Sequence, residues 1–358
     1  MALSAVLIIC ASDTLVSLLV PVGKQLQEKG VTVKYATLMY TREKAEFALA
    51  NMINPQHYEG VVRPHIGWLS RFSMIVIGND WGDEIKSIIY MSKAIGLASV
   101  CIQESVIDFG GVKKRLSHAT HVILQGVVSQ HMLKRSDNVY ICGNPRYDLL
   151  TYRELPSHFN VFVNVNFTYG VQENIRHEWV ISVLGACNKA NINVTLVQHP
   201  RDTSDLSIYN VPYLSSNSSK IHNLLGASSL VITRFSSLIH ESICIGRPVI
   251  YFDPNKEDMY YDFTPDGVVL SYAFEPDDIF PLLVKYQTNF PQLADFDTYL
   301  MGHLSFQGGA ANSCAERILE INNLECVAKR RVFNLVNFIY YQVRSLLKDV
   351  WRLFGFAI

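Results

Sequence analysis

The chain has 358 residues, of which 49% are hydrophobic and 18% charged, which excludes a disordered polymer and gives core enough for about two domains. Lys and Arg number 31 against 32 Asp and Glu, a formal net charge of −1, which argues against a general nucleic-acid binder. The balance is uneven along the chain: residues 329–358 hold Lys329, Arg330, Arg331, Arg344, Lys348 and Arg352 against Asp349 alone, a net of +5, leaving −6 on residues 1–328.

Residues 5–11 are a continuous apolar run followed by Ser12-Asp13-Thr14, a helical stretch to Lys29, a stop at Gly30 and a second strand over 31–38. An apolar run without alternation suits a parallel strand buried on both faces. The unit repeats as strand 73–77, loop 78–82, helix 83–97 and strand 99–103, and short strands follow at 121–124 and 139–142. The pattern predicts a doubly wound open sheet. Around 149–158 the apolar pattern lapses and Pro156 appears, which places a junction there. A second series follows, with strands at 161–165, 193–198, 230–233 and 248–252 and helices at 175–190, 219–227 and 237–245. The expected domains are therefore 1–150 and 156–321, with 312–321 helical, and a tail over 329–358. In the tail, Val332, Val336, Ile339, Val343, Leu346, Val350 and Leu353 line one face of a helix over 332–354.

Seven scattered cysteines, none in CxxC spacing, signal neither a zinc site nor a disulfide framework and fit a reducing cytoplasm. The first residues lack the basic flank and cleavage site of a signal peptide. No uninterrupted apolar run reaches the length of a spanning helix.

In open α/β sheets ligands bind beyond the carboxyl ends of the strands, so each strand-end loop is a candidate site. The strongest local signal is Gln198-His199-Pro200-Arg201-Asp202 after one strand. It is followed by 230–241, a strand, a hydroxyl-rich turn and a helix start, and then by 246–253. Ser236 and Ser237 are placed where helix N–H groups favour an anion, although a Ser there also serves as a simple N-cap. His199 is placed to donate to the same anion, and Glu241, one turn past Ser237, suits ribose hydroxyls or helix-surface chemistry alike. Asn166 and Thr168, in the first loop of the second half, are phosphate or sugar contacts or an ordinary Asn/Gly turn. No DxD-type metal motif is evident.

The ordered pattern HP…ITxxSSxxxE…GxPVIxF resembles the C-terminal half of GT-B glycosyltransferases that make bacterial surface polymers, most of all the CDP-glycerol glycerophosphotransferase and CMP-sugar transferase types. The stretch Gly143-Asn144-Pro145-Arg146-Tyr147-Asp148 resembles one that closes the N-terminal domain there and in UDP-GlcNAc 2-epimerases. Residues 308–318 with Glu320 resemble the end of the family's second domain. Arg234 stands where the family has Asp, an extra cation compatible with a donor phosphate.

The resemblance implies an α/β GT-B fold, two Rossmann-like doubly wound domains facing a cleft, with the amphipathic helix at the C-terminus. It implies a metal-independent transferase without a cofactor, moving a sugar or glycerol phosphate from a CDP- or CMP-linked donor to a glycan or lipid-linked acceptor. The donor contacts would be Asn166, Thr168, His199, Arg234, Ser236, Ser237 and Glu241. A base for the acceptor hydroxyl is needed. Among Asp13, Asp80, Glu104 and Asp108, the last two occupy the loop that the resemblance places at the cleft, so Glu104, Asp108 and His199 are the expected catalytic set. A 2-epimerase-like nucleotide-sugar enzyme and a non-catalytic scaffold of capsule assembly are the alternatives. The basic tail reads either as a helix packed on the first domain or as one lying on the inner membrane surface.

Overall fold

Strands form where the chain is apolar without alternation, because both faces of a parallel sheet are covered by helices. The computed structural model describes residues 5–63, 65–109, 115–168, 170–215, 221–257, 261–305 and 308–328. The expected tail helix lies outside the described residues.

The first unit begins with β1 (Ala5–Cys10), α1 (Asp13–Glu28) and β2 (Val33–Thr37). It continues with α2 (Arg42–Ala50), β3 (Tyr58–Val61), α3 (Ile66–Leu69), β4 (Phe72–Ile77), α4 (Asp83–Ala94) and β5 (Ala98–Ile102). Then come β6 (His121–Leu124), α5 (Val127–Met132) and β7 (Val139–Ile141). All pairings are parallel, in the order β3-β2-β1-β4-β5-β6-β7. The second unit runs β8 (Asn160–Val165), α6 (Arg176–Lys189), β9 (Asn193–Gln198), β10 (Tyr213–Ser215), α7 (Ile221–Gly226) and β11 (Leu230–Thr233). It continues with α8 (Leu238–Cys244), β12 (Val249–Phe252), β13 (Leu270–Ala273), α9 (Pro276–Thr288) and α10 (Leu293–His303). Its sheet has the order β10-β9-β8-β11-β12-β13, again all parallel. In each sheet the order reverses beside the first strand of the unit, the switch point at which open α/β sheets bind ligands.

The units comprise 1–148 with 304–358, and 149–303. This corrects the expected second domain over 156–321: the chain returns to the first unit at Leu304. The reason is α11 (Ala310–Ala328), which supplies Ala311, Cys314, Ala315, Ile318 and Ile321 to the core that also holds Leu15, Leu18, Leu19 and Leu26 of α1. Its start is fastened by Asp148, whose carboxylate accepts from the Ala310 and Ala311 amides, both at 2.8 Å. The first four N–H groups of a helix lack an intrahelical partner, which favours a carboxylate there. Six cysteines (Cys10, Cys101, Cys142, Cys187, Cys244 and Cys314) are buried free thiols. Among the described residues no helix is long and apolar enough to cross a membrane.

Candidate functional site

In the first unit, parallel register brings the strand ends level: Ile9 lies beside Ile77, Ile77 beside Cys101, Ile102 beside Ile123, and Leu124 beside Ile141. The residues just beyond them therefore meet at one edge. At its centre is Glu104, 8% exposed. The side chains of Thr14, after β1, and Asn79, after β4, and the guanidiniums of Arg146 and Arg115 all favour the charge of its carboxylate. Burial outweighs these partners and raises its pKa above the ordinary carboxylate value. Gly78 lets the β4 end approach α1, since a Cβ there would overlap Leu15 and Leu18.

The backbone of Glu104 is clamped on both sides. Its N–H donates to Asp108 Oδ2 at 2.6 Å, and its carbonyl accepts from Asn144 Nδ2 at 3.0 Å. Asn144 Nδ2 also reaches Gln125 Oε1 at 3.3 Å, and its Oδ1 accepts from the Arg146 amide at 3.1 Å. The GNPR stretch, which Gly143 opens at φ 82°, thus holds Glu104 with Asn144 and sets Arg146 beside its charge.

Asp108 lies beneath the Glu104 backbone. Its Oδ2 accepts from the Glu104 and Ser105 amides and its side chain is buried, which fixes the Glu104 backbone. Burial and the neighbouring Glu104 charge push its pKa well up. Asp80 accepts from the Leu116, His118 and Ala119 amides and ties down a loop. Asp13 is exposed in the first turn of α1. Thr14, Asn79, Asn144 and Arg146 are the residues that sequence reasoning left out; the GNPR stretch was the signal for two of them.

In the second unit, register sets Thr233 beside Asn164, and Val165 beside Gln198, so Asn166, His199 and Arg234 follow abreast. Asn164 Nδ2 donates to Thr233 Oγ1 at 2.9 Å, and Asn166 Nδ2 to the Phe235 carbonyl at 3.2 Å, which ties the β8 and β11 ends together at the switch point. Thr168 is buried in the same loop. His199 donates its N–H to the Val165 carbonyl at 3.2 Å, and its Nδ1 accepts from the Arg201 amide at 3.2 Å. That bond puts the proton of the neutral ring on Nε2, a donor. Burial and then the Arg201 charge lower the His199 pKa.

Ser236 Oγ accepts from the Leu238 amide at 3.2 Å, and Ser237 occupies the N-cap of α8 with its Oγ 3.5 Å from Glu241 Oε1. Glu241 is buried and its Oε2 lies 2.9 Å from His222 Nε2. Arg234 is paired within the second unit. Its guanidinium pairs with Glu257, which also accepts from the Phe235 amide and the Tyr251 hydroxyl. The same guanidinium reaches the Asn166 carbonyl at 2.8 Å and stacks 4.9 Å from the Phe167 ring centre. These contacts tie the β8 and β11 loops together.

No protein-family model and no curated protein matches the sequence. Solved structures do match in fold. The wall teichoic acid polymerase TagF superposes with a TM-score of 0.60 at 14% identity, over 90% of each chain. A putative UDP-N-acetylglucosamine 2-epimerase from Listeria monocytogenes gives 0.63 at 12% identity, over 92% of this chain and 99% of its own. The Methanocaldococcus jannaschii UDP-GlcNAc 2-epimerase, solved with UDP-GlcNAc and UDP, gives 0.59 at 10% identity, over 89% and 99%. With two doubly wound, all-parallel sheets and this likeness, the fold of the chain is GT-B.

Proposed function

We propose that the protein is a GT-B transferase that moves a sugar or glycerol phosphate from a nucleotide-activated donor, CDP- or CMP-linked, to a glycan or lipid-linked acceptor in surface-polymer synthesis. The observation that carries the reading is the division of chemistry between the two sheet edges. The first edge has a buried carboxylate of raised pKa, and the second a neutral histidine donor beside a hydroxyl-rich helix start and a buried carboxylate. The wall teichoic acid polymerase TagF, solved with CDPG, and a UDP-GlcNAc 2-epimerase, solved with UDP-GlcNAc and UDP, lend support through a shared fold.

In this mechanism Glu104 takes the proton of the acceptor hydroxyl, with Asp108 and Asn144 fixing its backbone. The donor phosphate lies at the turn of Ser236 and Ser237, where it accepts from His199 Nε2–H and from helix-start amides. These pre-placed dipoles stabilise the charge that develops as the nucleotide departs. Glu241 binds the ribose hydroxyls, exchanging or sharing its bond to His222. Asn166 and Thr168 border the transferred group. No resident cofactor or metal has a role in these steps. The basic tail holds the protein at the inner face of the membrane, where a lipid-linked acceptor is available.

Melting in the presence of CDP, CMP and UDP tests the reading. A ligand at a hundred times its Kd stabilises by about 2.7 kcal/mol, a shift of several degrees in Tm. The shift is expected with a cytidine nucleotide and is expected to shrink in His199→Ala. No shift with any of the three would overturn the proposal. A 2-epimerase reading has the two epimerase structures in its favour, and release of epimerised sugar from UDP-GlcNAc without an acceptor would establish it instead.

A further inference from the structure

Beside the His-Pro loop, between the β8–α6 connection and the residues after β9, lies a half-open cavity of about 150 Å³. Phe167, Glu173, Arg176, Arg201, Asp202 and Ser204 line it. Two cations and two carboxylates face it, so the lining carries no net charge. None of these residues belongs to the donor contacts assigned above.

The lining is held rigidly by bonds that leave specific atoms over. Asp202 Oδ1 accepts from the Ser204 amide at 2.9 Å and from Arg176 Nη2 at 3.2 Å. Arg176 Nη2 also donates to the Phe167 carbonyl at 2.9 Å, Gln198 Nε2 donates to the Ser204 carbonyl at 2.6 Å, and Glu173 Oε1 accepts from the Gly170 amide at 2.8 Å. What remains is Asp202 Oδ2, Arg176 Nε and Ser204 Oγ, each buried and each without a hydrogen-bond partner. The Asp202 side chain is 1% exposed. A buried carboxylate oxygen without a donor is costly, and three such atoms around one cavity are a matched set awaiting partners.

The set selects the chemistry of its ligand. Asp202 Oδ2 needs a donor, which rules out a phosphate or carboxylate. Arg176 Nε–H needs an acceptor, which rules out a bare ammonium. Ser204 Oγ takes either role. Adjacent hydroxyl groups supply donor and acceptor together. We propose that this cavity is a binding subsite for a vicinal diol, as presented by a sugar ring or a glycerol unit, separate from the nucleotide contacts. The bond from the Asp202 amide to the His199 carbonyl, at 2.9 Å, makes a diol here also a brace for the His-Pro loop.

Saturation-transfer NMR on the full chain tests this with methyl glucoside, glycerol and, as a control without adjacent hydroxyls, 1,3-propanediol. Saturable transfer is expected for the glucoside or for glycerol, which separates the sugar from the glycerol source, and transfer to 1,3-propanediol should be at least fivefold weaker. A hydrogen bond to a charged group is worth about tenfold in affinity or more, so Asp202→Asn should weaken the diol by about that factor. Ser204→Ala, which leaves the Asp202–Arg176 pair in place, should weaken it by a smaller factor, about fivefold. Circular dichroism controls for folding, and CDP melting shifts run in parallel should not change in either variant. Absence of transfer from both diols, or transfer that survives both substitutions, overturns the proposal. Absence of a CDP shift with diol binding intact would instead count against the nucleotide reading alone.

Discussion

At Glu104, burial opposes four favourable partners. Thr14, Asn79, Arg146 and Arg115 all favour the ionised carboxylate, yet the cost of desolvation exceeds them and the proton is held above the ordinary pKa of 4.5. A base must be deprotonated to act, so the acid limb of kcat/KM should rise with pH about a midpoint above 4.5. Glu104→Gln should lower turnover by about 10²- to 10⁴-fold, the usual worth of a positioned base. It should not cost stability. A carboxyl whose folded pKa is raised makes the fold weaker as pH climbs through that pKa, because the folded state is then forced to hold the charge. Removing the charge should therefore raise Tm at pH 8 relative to the native chain, and leave it nearly unchanged at pH 4. Full activity in the Gln variant would remove Glu104 from the mechanism; a lost activity together with a lowered Tm at pH 8 would reduce it to a structural group.

The same conflict between burial and charge is repeated between α8 and α10. His303 of α10 bonds the Tyr261 hydroxyl at 3.0 Å through Nδ1 and the Thr264 hydroxyl at 2.6 Å through Nε2, and stacks on Tyr299 at 4.5 Å. His240 of α8 lies 5.1 Å away, ring to ring. Burial lowers the His303 pKa from 6.5 to about 4, and burial with the His303 charge pushes His240 well down. Between those two pH values the unfolded chain takes up a proton that the folded one refuses. Stability is thus whole above pH 6.5 and drains away as pH falls towards 4, by about 2 kcal/mol at pH 5 from His303 alone. Urea unfolding of the native chain at pH 7 and pH 5 should show this loss, and His303→Gln should show much less of it. Equal losses in both would disprove the assignment. At this scale the sequence was readable where apolar runs were unbroken, as in β1, β4, β8 and β11. It was silent on β3 and β10, because short edge strands with half-exposed or exposed residues bury too little to leave a pattern. The strand ends were readable as candidate sites because parallel register aligns them. The groups that complete each site were not: Thr14 reaches Glu104, and Arg234 finds Glu257, through tertiary packing that no local spacing encodes.

For the whole molecule, the course of α11 decides what the basic tail can do. Asp148 and the α1 core hold α11 on the first unit, so residues 329–358 continue from the unit that carries Glu104, not from the one that carries His199. A membrane attachment made by that tail would keep the acceptor-side unit at the surface where a lipid-linked acceptor resides. A deletion that tests this must begin at 329. One beginning at 304 would strip Cys314, Ala315, Ile318 and Ile321 from the first core and unfold what it was meant to probe. Near an anionic surface each Lys or Arg contributes about 1 kcal/mol, and the tail carries six with one opposing Asp. Its removal should weaken binding to vesicles with anionic lipid by about a hundredfold or more at low salt. Binding of the full chain should itself fall between 0.1 M and 0.5 M salt, as the screening length shortens below about 10 Å. Turnover on a water-soluble acceptor should be unaffected by the deletion, since none of Glu104, His199, Ser236 or Glu241 lies within it. Vesicle sedimentation at the two salt concentrations reads the outcome, and unchanged binding of the truncated chain would leave the tail with no part in membrane attachment.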